Sequence, residues 1–275
     1  MSGRLLIVST PIGNLGDLSK RAIEVLESAA VVCCEDTRHT GGLLSKLGLH
    51  AQRLMSLHEH NEVSRIEEIS ALLDSGKNVA LVSDAGTPLV SDPGRRLVSA
   101  VIEAGVEVVA VPGSSALLAA LVISGLATDQ FSFEGFLPRK GHDRVICLDR
   151  VARETRPSVI YEAPSRVIAT LDNLLGVCGP TRKVAVCREL TKMHEQVWRG
   201  ALELAGPAVG DPRGEYVIVV EAAIPLDATV VDVQEAIDAR LGEGMTSRDI
   251  AREVAEETGW ARRAVYERVI RSTRS

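Results

Sequence analysis

Residues 4–22 read RLLIVSTPIGNLGDLSKRA. The apolar run Arg4–Thr10 predicts a buried strand. It ends in a glycine-bearing loop and leads into DLSKRAIEVLESA, where Leu18, Ala22, Val25 and Leu26 fall on one helical face. Nucleotide-binding α/β folds begin in this order. The loop, however, excludes their usual ligands. Gly13 and Gly16 are its only glycines, so neither G-x-G-x-x-G nor G-x-x-x-x-G-K-[ST] is present, and Pro11 sits at the turn.

The alternation continues outward. Strand-like runs VVCCED (31–36), RLMSLHE (53–59), NVALVSD (78–84) and VEVVAVPG (106–113) alternate with helical patterns near Leu43–Leu47, over 61–74 and over 95–105. A mostly parallel sheet with helices packed on it is expected. After Pro112 the pattern changes. SSALLAALVISGL reads as a buried helix, and FSFEGFLP, SVIYEAP, RKVAVCREL, EQVWRG and GEYVIVVEA read as strands. The last three lie close together with little helix between them, which predicts a mixed sheet with antiparallel pairs. Pro225 and the N-cap candidate Thr229 mark a break to pure helix. There, Ala255, Gly259 and Val265 carry helix-turn-helix spacing: a small residue where helices cross, a turn glycine, then an apolar residue. The expected fold is α/β, with an N-terminal α/β domain at 1–113, a mixed α/β domain at 114–225 and a helix-turn-helix-like segment at 226–275.

The chain has 275 residues and a net charge of −6, so any nucleic-acid binding needs a local basic patch. Its five cysteines, Cys33, Cys34, Cys147, Cys178 and Cys187, form no C-x-x-C pair, which favours reduced core thiols over disulfides or zinc. The first residues lack a secretory pattern, and the longest apolar run is about 12 residues against roughly 20 for a membrane span. A cytoplasmic protein without a membrane segment is expected.

Seven junctions at predicted strand ends are dense in special residues: TPIGN (10–14), CCEDTR (33–38), HEHNE (58–62), SDAGTP (83–88), VPGSSA (111–116), YEAPSR (161–166) and CRELTK (187–192). Loops at the carboxyl edge of α/β sheets converge on one crevice. Simpler readings exist for each. SDAGTPLVSDPG has the composition of a surface turn. His58 and His60 share a strand face but have no third ligand at metal spacing, so no metal is expected. Glu35 and Asp36 could cap a helix or be solvated. PGSSA lacks the G-x-S-x-G elbow, so Ser114 and Ser115 suit a helix N-cap.

TPIGNLGDLS, CCEDTRHT, HEHNE, VALVSDAGTPLVSDPG, PGSSALLAAL, FEGFLPRK, YEAPSR and RELTK follow one another in this order. The series resembles the bacterial small-subunit ribosomal RNA methyltransferase I family, the 16S cytidine 2′-O-methyltransferases of the tetrapyrrole methylase superfamily. The resemblance spans about residues 4–222. It implies two α/β domains, a homodimer, and S-adenosylmethionine bound in the cleft between the domains. It implies 16S ribosomal RNA, or the small ribosomal subunit, as partner. Pro11, Ile12, Asp84, Gly86 and Thr87 would approach the cofactor, with Ser114 and Ser115 opening a helix whose amides take its carboxylate. Tyr161 and Leu190 would close over the adenine side. Ser165 stands where the family commonly has histidine.

A sulfonium cofactor has no phosphates, which accounts for the loop after Thr10. The reaction implied by the resemblance would be in-line displacement by a ribose hydroxyl, a weak nucleophile whose proton must be removed. Candidates are Glu35, Asp36, His60, Glu62 and Lys192, with preference for a carboxylate of CCEDTR supported by Lys192. Arg38 would hold phosphate or favour the alkoxide. Two basic patches suit RNA. One is Pro138–Arg156, with Arg139 and Lys140 leading four further arginines; the other is the final helix, with Arg262 and Arg263 among five arginines against Glu267. Two rivals are a small-molecule methylase acting on a tetrapyrrole precursor and a ligand-responsive DNA-binding regulator. The first does not need the basic helices, and the second does not explain seven elaborated loops.

Overall fold

Strand β1 (Leu5–Val8) is paired on both sides, which is why its LLIV run is almost wholly buried. The computed structural model describes residues 2–223, 230–258, 260 and 262–273. Beside β1 lie β2 (Val31–Cys34), β3 (Leu54–Ser56), β4 (Val79–Leu81) and β5 (Val108–Val111), all parallel, in the order β3-β2-β4-β1-β5. Parallel pairing requires crossovers. These contain α1 (Lys20–Ser28), α2 (Thr37–Lys46), α3 (Glu62–Asp74) and α4 (Arg95–Glu103). Alternate strand residues feed two apolar clusters, one including Leu6, Val8, Leu26 and Val32, the other Leu5, Val31, Ile69 and Leu97. Each such fully buried leucine or isoleucine contributes about 1.5–3 kcal/mol.

Helix α2 is longer than the short helix expected near Leu43–Leu47. Its first residues, Thr-Arg-His-Thr-Gly-Gly, are weak helix formers apart from Arg38 and hide it from periodicity. The Asp36 side chain accepts from Arg38 N at 2.8 Å, and Thr40 and Leu44 are buried, so cap and packing override propensity.

The second sheet follows α5 (Ala116–Ile123). It comprises β6 (Ser132–Phe136), β7 (Ser158–Glu162), β8 (Lys183–Arg188), β9 (Gln196–Ala201) and β10 (Tyr216–Val220), in the order β6-β7-β10-β8-β9. β6 and β7 are parallel; the other pairs are antiparallel. Three helices here were not expected: α6 (His142–Arg153), α7 (Val167–Cys178) and α8 (Leu202–Val209). α6 lies in the crossover that parallel β6 and β7 require. α8 separates β9 from β10, a full helix where little helix was expected; Gly206 and Pro207 within it conceal its helical signal. One face of the sheet packs Leu137, Leu148, Ile160, Leu171 and Ile218. The other packs Ala120, Leu121, Val159 and Val217 together with Ile12 and Leu190.

Both sheets belong to one compact unit, Met1–Ala222. The second unit, Ala223–Ser275, contains α9 (Val230–Gly242), α10 (Ser247–Thr258) and α11 (Arg262–Ser272). Its core includes Val233, Ile237, Ile250, Val254, Val265 and Val269, with Ala255 packed against it. Pro225, Thr229 and Gly259 lie outside the described residues. All five cysteines are free thiols, and burial pushes Cys33 up to about 12 and Cys187 up to about 11. Such thiols are inert at neutral pH. Among the described residues, no helix is long and apolar enough to cross a membrane.

Candidate active site

The strand-end loops hold one another in place. Thr10 and Gly86 exchange backbone hydrogen bonds, Thr10 N to Gly86 O at 2.9 Å and Gly86 N to Thr10 O at 3.1 Å. Gly86 adopts φ +82°, and a Cβ there would meet Ile12 at 3.2 Å. Below this bridge, Ser9 Oγ donates to Thr87 Oγ1 at 3.3 Å, and Thr87 Oγ1 donates to the Ser114 carbonyl at 3.1 Å. Three of the predicted loops are thus tied at their bases. TPIGN also abuts RELTK: a Cβ on Gly13 would lie 2.3 Å from Lys192 Cγ and 3.0 Å from Thr191 Oγ1.

Among the described residues, the non-glycine positions with positive φ are Leu89 (+73°), Ser91 (+69°), Glu189 (+51°) and Thr191 (+66°). All four fall in SDAGTPLVSDPG or RELTK. Strain of this kind persists only where surroundings over-determine it, and it clusters at functional sites.

Above these loops lies a cleft of about 370 Å³, drawn from both sheets. Ile12, Asp84, Gly86, Thr87, Ser115 and Tyr161, all cofactor candidates from the sequence, line it. Pro11 lines the adjoining cleft, Ser114 backs Thr87, and Leu190 is buried beside Ile12. Phe136, Asp92 and Glu215 are lining residues that sequence reasoning missed. Phe136 is 55% exposed and meets Tyr161 edge-on at 5.6 Å, with Phe133 at 5.0 Å on the same ring. All three phenylalanines of the chain lie in FSFEGFLP, and that clustering was a usable signal.

The helix start is already partly engaged. Leu118 N donates to Ser115 Oγ at 3.4 Å, and Leu117 N donates to the Tyr161 hydroxyl at 3.0 Å. Two amides expected to take a carboxylate therefore have protein partners. The cleft nonetheless fits S-adenosylmethionine: apolar and aromatic walls for an adenine, backbone brought close by Gly86, and the Asp84 carboxylate for hydroxyl or ammonium groups.

A second cleft, about 390 Å³, shares Ile12, Asp84, Ala85 and Glu215 with the first. Arg38, His39, Lys46 and Lys192 give it a basic wall. Lys192 Nζ lies 2.9 Å from both Glu189 and Glu215. Burial opposes its charge, but these bonds outweigh burial and hold its pKa above the ordinary lysine value. Asp36 is paired with Arg38, whose hydrogen bond lowers the carboxyl to about 2. Such a carboxylate is a weak base.

A third cleft, about 470 Å³, carries Glu35, Glu59, Glu62, Asp92, Arg95 and Arg96. Glu35 is exposed there. Glu62 is buried and accepts from Leu97 N at 2.9 Å, capping α4 from outside. Asp92 is half-buried; burial first, then repulsion from Glu35, pushes its carboxyl up to about 6.

The remaining candidates stand apart. His60 is exposed in the turn before α3, its ring edge-on to His58. Among the described residues, no group of three or more His, Cys, Asp or Glu could hold a metal ion. Arg139 and Lys140 are exposed between β6 and α6. The rest of that patch is smaller than its sequence suggests, because three arginines have internal partners. Arg144 is buried against Asn173, Thr170 and the Pro138 carbonyl; Arg150 pairs with Glu134, and Arg156 with Glu154. Ser165 is exposed, in a loop pinned by buried Glu162, which accepts from Thr170 Oγ1 at 2.6 Å and pairs with Arg166 at 3.1 Å. In the second unit, Arg262 and Arg263 line an open hollow of about 580 Å³ with Arg248 and Tyr266.

A family described as Tetrapyrrole (Corrin/Porphyrin) Methylases matches residues 4–205. A protein of Synechocystis sp. named ribosomal RNA small subunit methyltransferase I is 45% identical over 270 residues, 96% of either chain. One of that name from Xylella fastidiosa is 46% identical over 268 residues, covering 96% of this chain and 98% of its own. A solved structure of uroporphyrin-III C-methyltransferase from Thermus thermophilus, complexed with S-adenyl homocysteine, matches with a TM-score of 0.57 at 20% identity. It covers 80% of this chain and 97% of its own.

Proposed function

The chain belongs to the tetrapyrrole methylase family, and within it to ribosomal RNA small subunit methyltransferase I; from that premise we propose that it methylates the 2′-hydroxyl of a cytidine ribose in 16S ribosomal RNA, using S-adenosylmethionine. One observation carries the choice of acceptor. The uroporphyrin methylase structure is matched almost entirely by 80% of this chain, whereas the Synechocystis and Xylella ribosomal RNA relatives match over 96%. The extra length accommodates a helical unit whose final stretch, 261–275, carries five arginines against Glu267, for which a tetrapyrrole precursor gives no reason.

When bound, S-adenosylmethionine supplies an electrophilic methyl group. Pro11, Ile12, Asp84, Gly86, Thr87, Ser114, Ser115, Tyr161 and Leu190 would hold it, with Phe136 added to the adenine wall. The preorganised loops would orient it and exclude water, so that the hydroxyl meets the methyl group on line. Arg38, Lys46 and Lys192, on the basic wall next to the cofactor cleft, would take RNA phosphates. The protein would act in the cytoplasm as a homodimer. Support for the dimer comes from α5, whose residues are all apolar yet leave Leu118 and Val122 exposed.

The test is incubation with labelled S-adenosylmethionine and small ribosomal subunits, naked 16S RNA or tetrapyrrole precursors. Label in a ribose-methylated cytidine is expected. Label in the tetrapyrrole alone overturns the reading.

A further inference from the structure

Asp92 stands where two clefts meet. It lines the cofactor cleft beside Ser115 and Tyr161, and also the neighbouring cleft bounded by Arg95 and Arg96. Its preceding residue, Ser91, shares both walls and is held at φ +69°. A Cβ on Gly94, two residues on, would lie 2.8 Å from Leu81, so this end of the loop is pressed against β4.

Resting on the functional reading above, we propose that Asp92 accepts the proton of the ribose 2′-hydroxyl, the ribose entering between Arg95 and Arg96 on one side and the cofactor cleft on the other. The O–H bond breaks with its proton passing to the Asp92 carboxylate. The oxygen forms the new O–CH₃ bond, and the S–CH₃ bond breaks with its electron pair left on sulfur, giving neutral S-adenosylhomocysteine. Arg95 and Arg96 meet the phosphates that flank the ribose.

Other groups fit this task less well. Asp36 is neutralised as a base by Arg38, and Lys192 is held protonated by two carboxylates. Glu62 is occupied by Leu97 N. Asp92 has the basicity for the work, its carboxyl standing near 6, where a base is both ionised at neutral pH and able to take a proton. Burial raises it first; Glu35 after β2 and Asp84 after β4 add repulsion, while a hydrogen bond from Ser83 opposes them. Glu59 and Glu62 at the start of α3, and Arg95 and Arg96 of α4, face it in the open cleft. Tyr161 and Glu162 of β7 and Glu215 before β10 face it in the cofactor cleft.

The experiment is single-turnover transfer from labelled S-adenosylmethionine to small ribosomal subunits, for wild type and Asp92→Asn, from about pH 5 to about pH 8.5, with adenosylhomocysteine affinity measured by calorimetry. The wild-type rate is expected to rise about tenfold per pH unit below a bend near pH 6 and to level above it. Asp92→Asn is expected to lower the plateau about 100-fold or more and remove the bend, with cofactor affinity within about threefold. A variant rate within about threefold of wild type, a bend that survives the substitution, or a loss explained by cofactor affinity overturns the proposal. A flat wild-type profile overturns it without any variant. Wild-type protein that transfers no methyl group to ribose overturns the functional reading and this role with it.

Discussion

Gly13 leaves no room for a side chain between TPIGN and RELTK. A Cβ at this position would overlap Lys192 Cγ at 2.3 Å and press on the Leu190 carbonyl at 3.2 Å. Gly13→Ala must therefore part the loops at a cost of about 1–3 kcal/mol. Because Ile12 and Asp84 line the cofactor cleft beside this contact, adenosylhomocysteine affinity should fall by roughly 5- to 100-fold in calorimetry. Asp92 makes a different prediction. Its carboxyl is raised from an ordinary 3.8 to about 6, so its charge costs stability once ionised. The cost is absent below about pH 4, grows between about 4 and 6, and is constant above. A full two-unit shift is about 2.7 kcal/mol, and screening of a half-exposed group reduces this to about 1 kcal/mol. Asp92→Asn should be more stable than wild type by about 1 kcal/mol at about pH 8 and equal to it at about pH 4, read by denaturant midpoints. Asp92 shows where reading residues alone stopped. SDAGTPLVSDPG was singled out as a loop, but burial and the carboxylates brought by other strands distinguish Asp92 from Asp84, and neither is encoded locally.

At the scale of elements, the first sheet was legible because its strands are buried runs separated by regular helices. The second was not. α6 has the charged composition of a solvated patch, although Arg144 within it is buried and bonded to Thr170 and Asn173. α7 joins two strands with apolar residues throughout one face, so its period was lost in a generally apolar stretch. Conversely, α5 is apolar all round and was read correctly as a helix, but its Leu118 and Val122 are exposed among the described residues. If α5 is the homodimer contact, Leu118→Glu with Val122→Glu should halve the mass seen by light scattering at micromolar concentration. A wild type already at monomer mass with full activity refutes the dimer. α3 and α4 are coupled by the Glu62 carboxylate. Glu62→Ala leaves the Leu97 N–H buried without its acceptor and should cost about 1–3 kcal/mol in thermal or denaturant unfolding.

At the scale of the whole molecule, the chain divides into Met1–Ala222 and Ala223–Ser275, each with its own core. Every described residue lining the cofactor-sized cleft lies in the first unit. The second carries Arg248, Arg262, Arg263 and Tyr266 around one open hollow, in a chain whose net charge is −6. The overall field repels RNA, so affinity must come from local contacts. Arginines that neutralise phosphates release counterions, and binding then weakens with salt by a slope of about −0.7 to −0.9 per contact. Removing residues 223–275 should therefore leave adenosylhomocysteine affinity within about twofold while sharply weakening methylation of ribosomal subunits. Arg262→Ala with Arg263→Ala should reproduce part of that loss and flatten the salt slope by about 1 to 2 units, without changing turnover at saturating acceptor. The competing possibility is that these helices only stabilise the first unit. In that case truncation lowers the melting temperature and the cofactor affinity together, and the double arginine variant keeps the wild-type salt slope. The two outcomes separate cleanly because the arginines are surface groups: Arg263 is 92% exposed and pairs across one turn with Glu267, so its removal leaves the packing of Val265 and Val269 untouched.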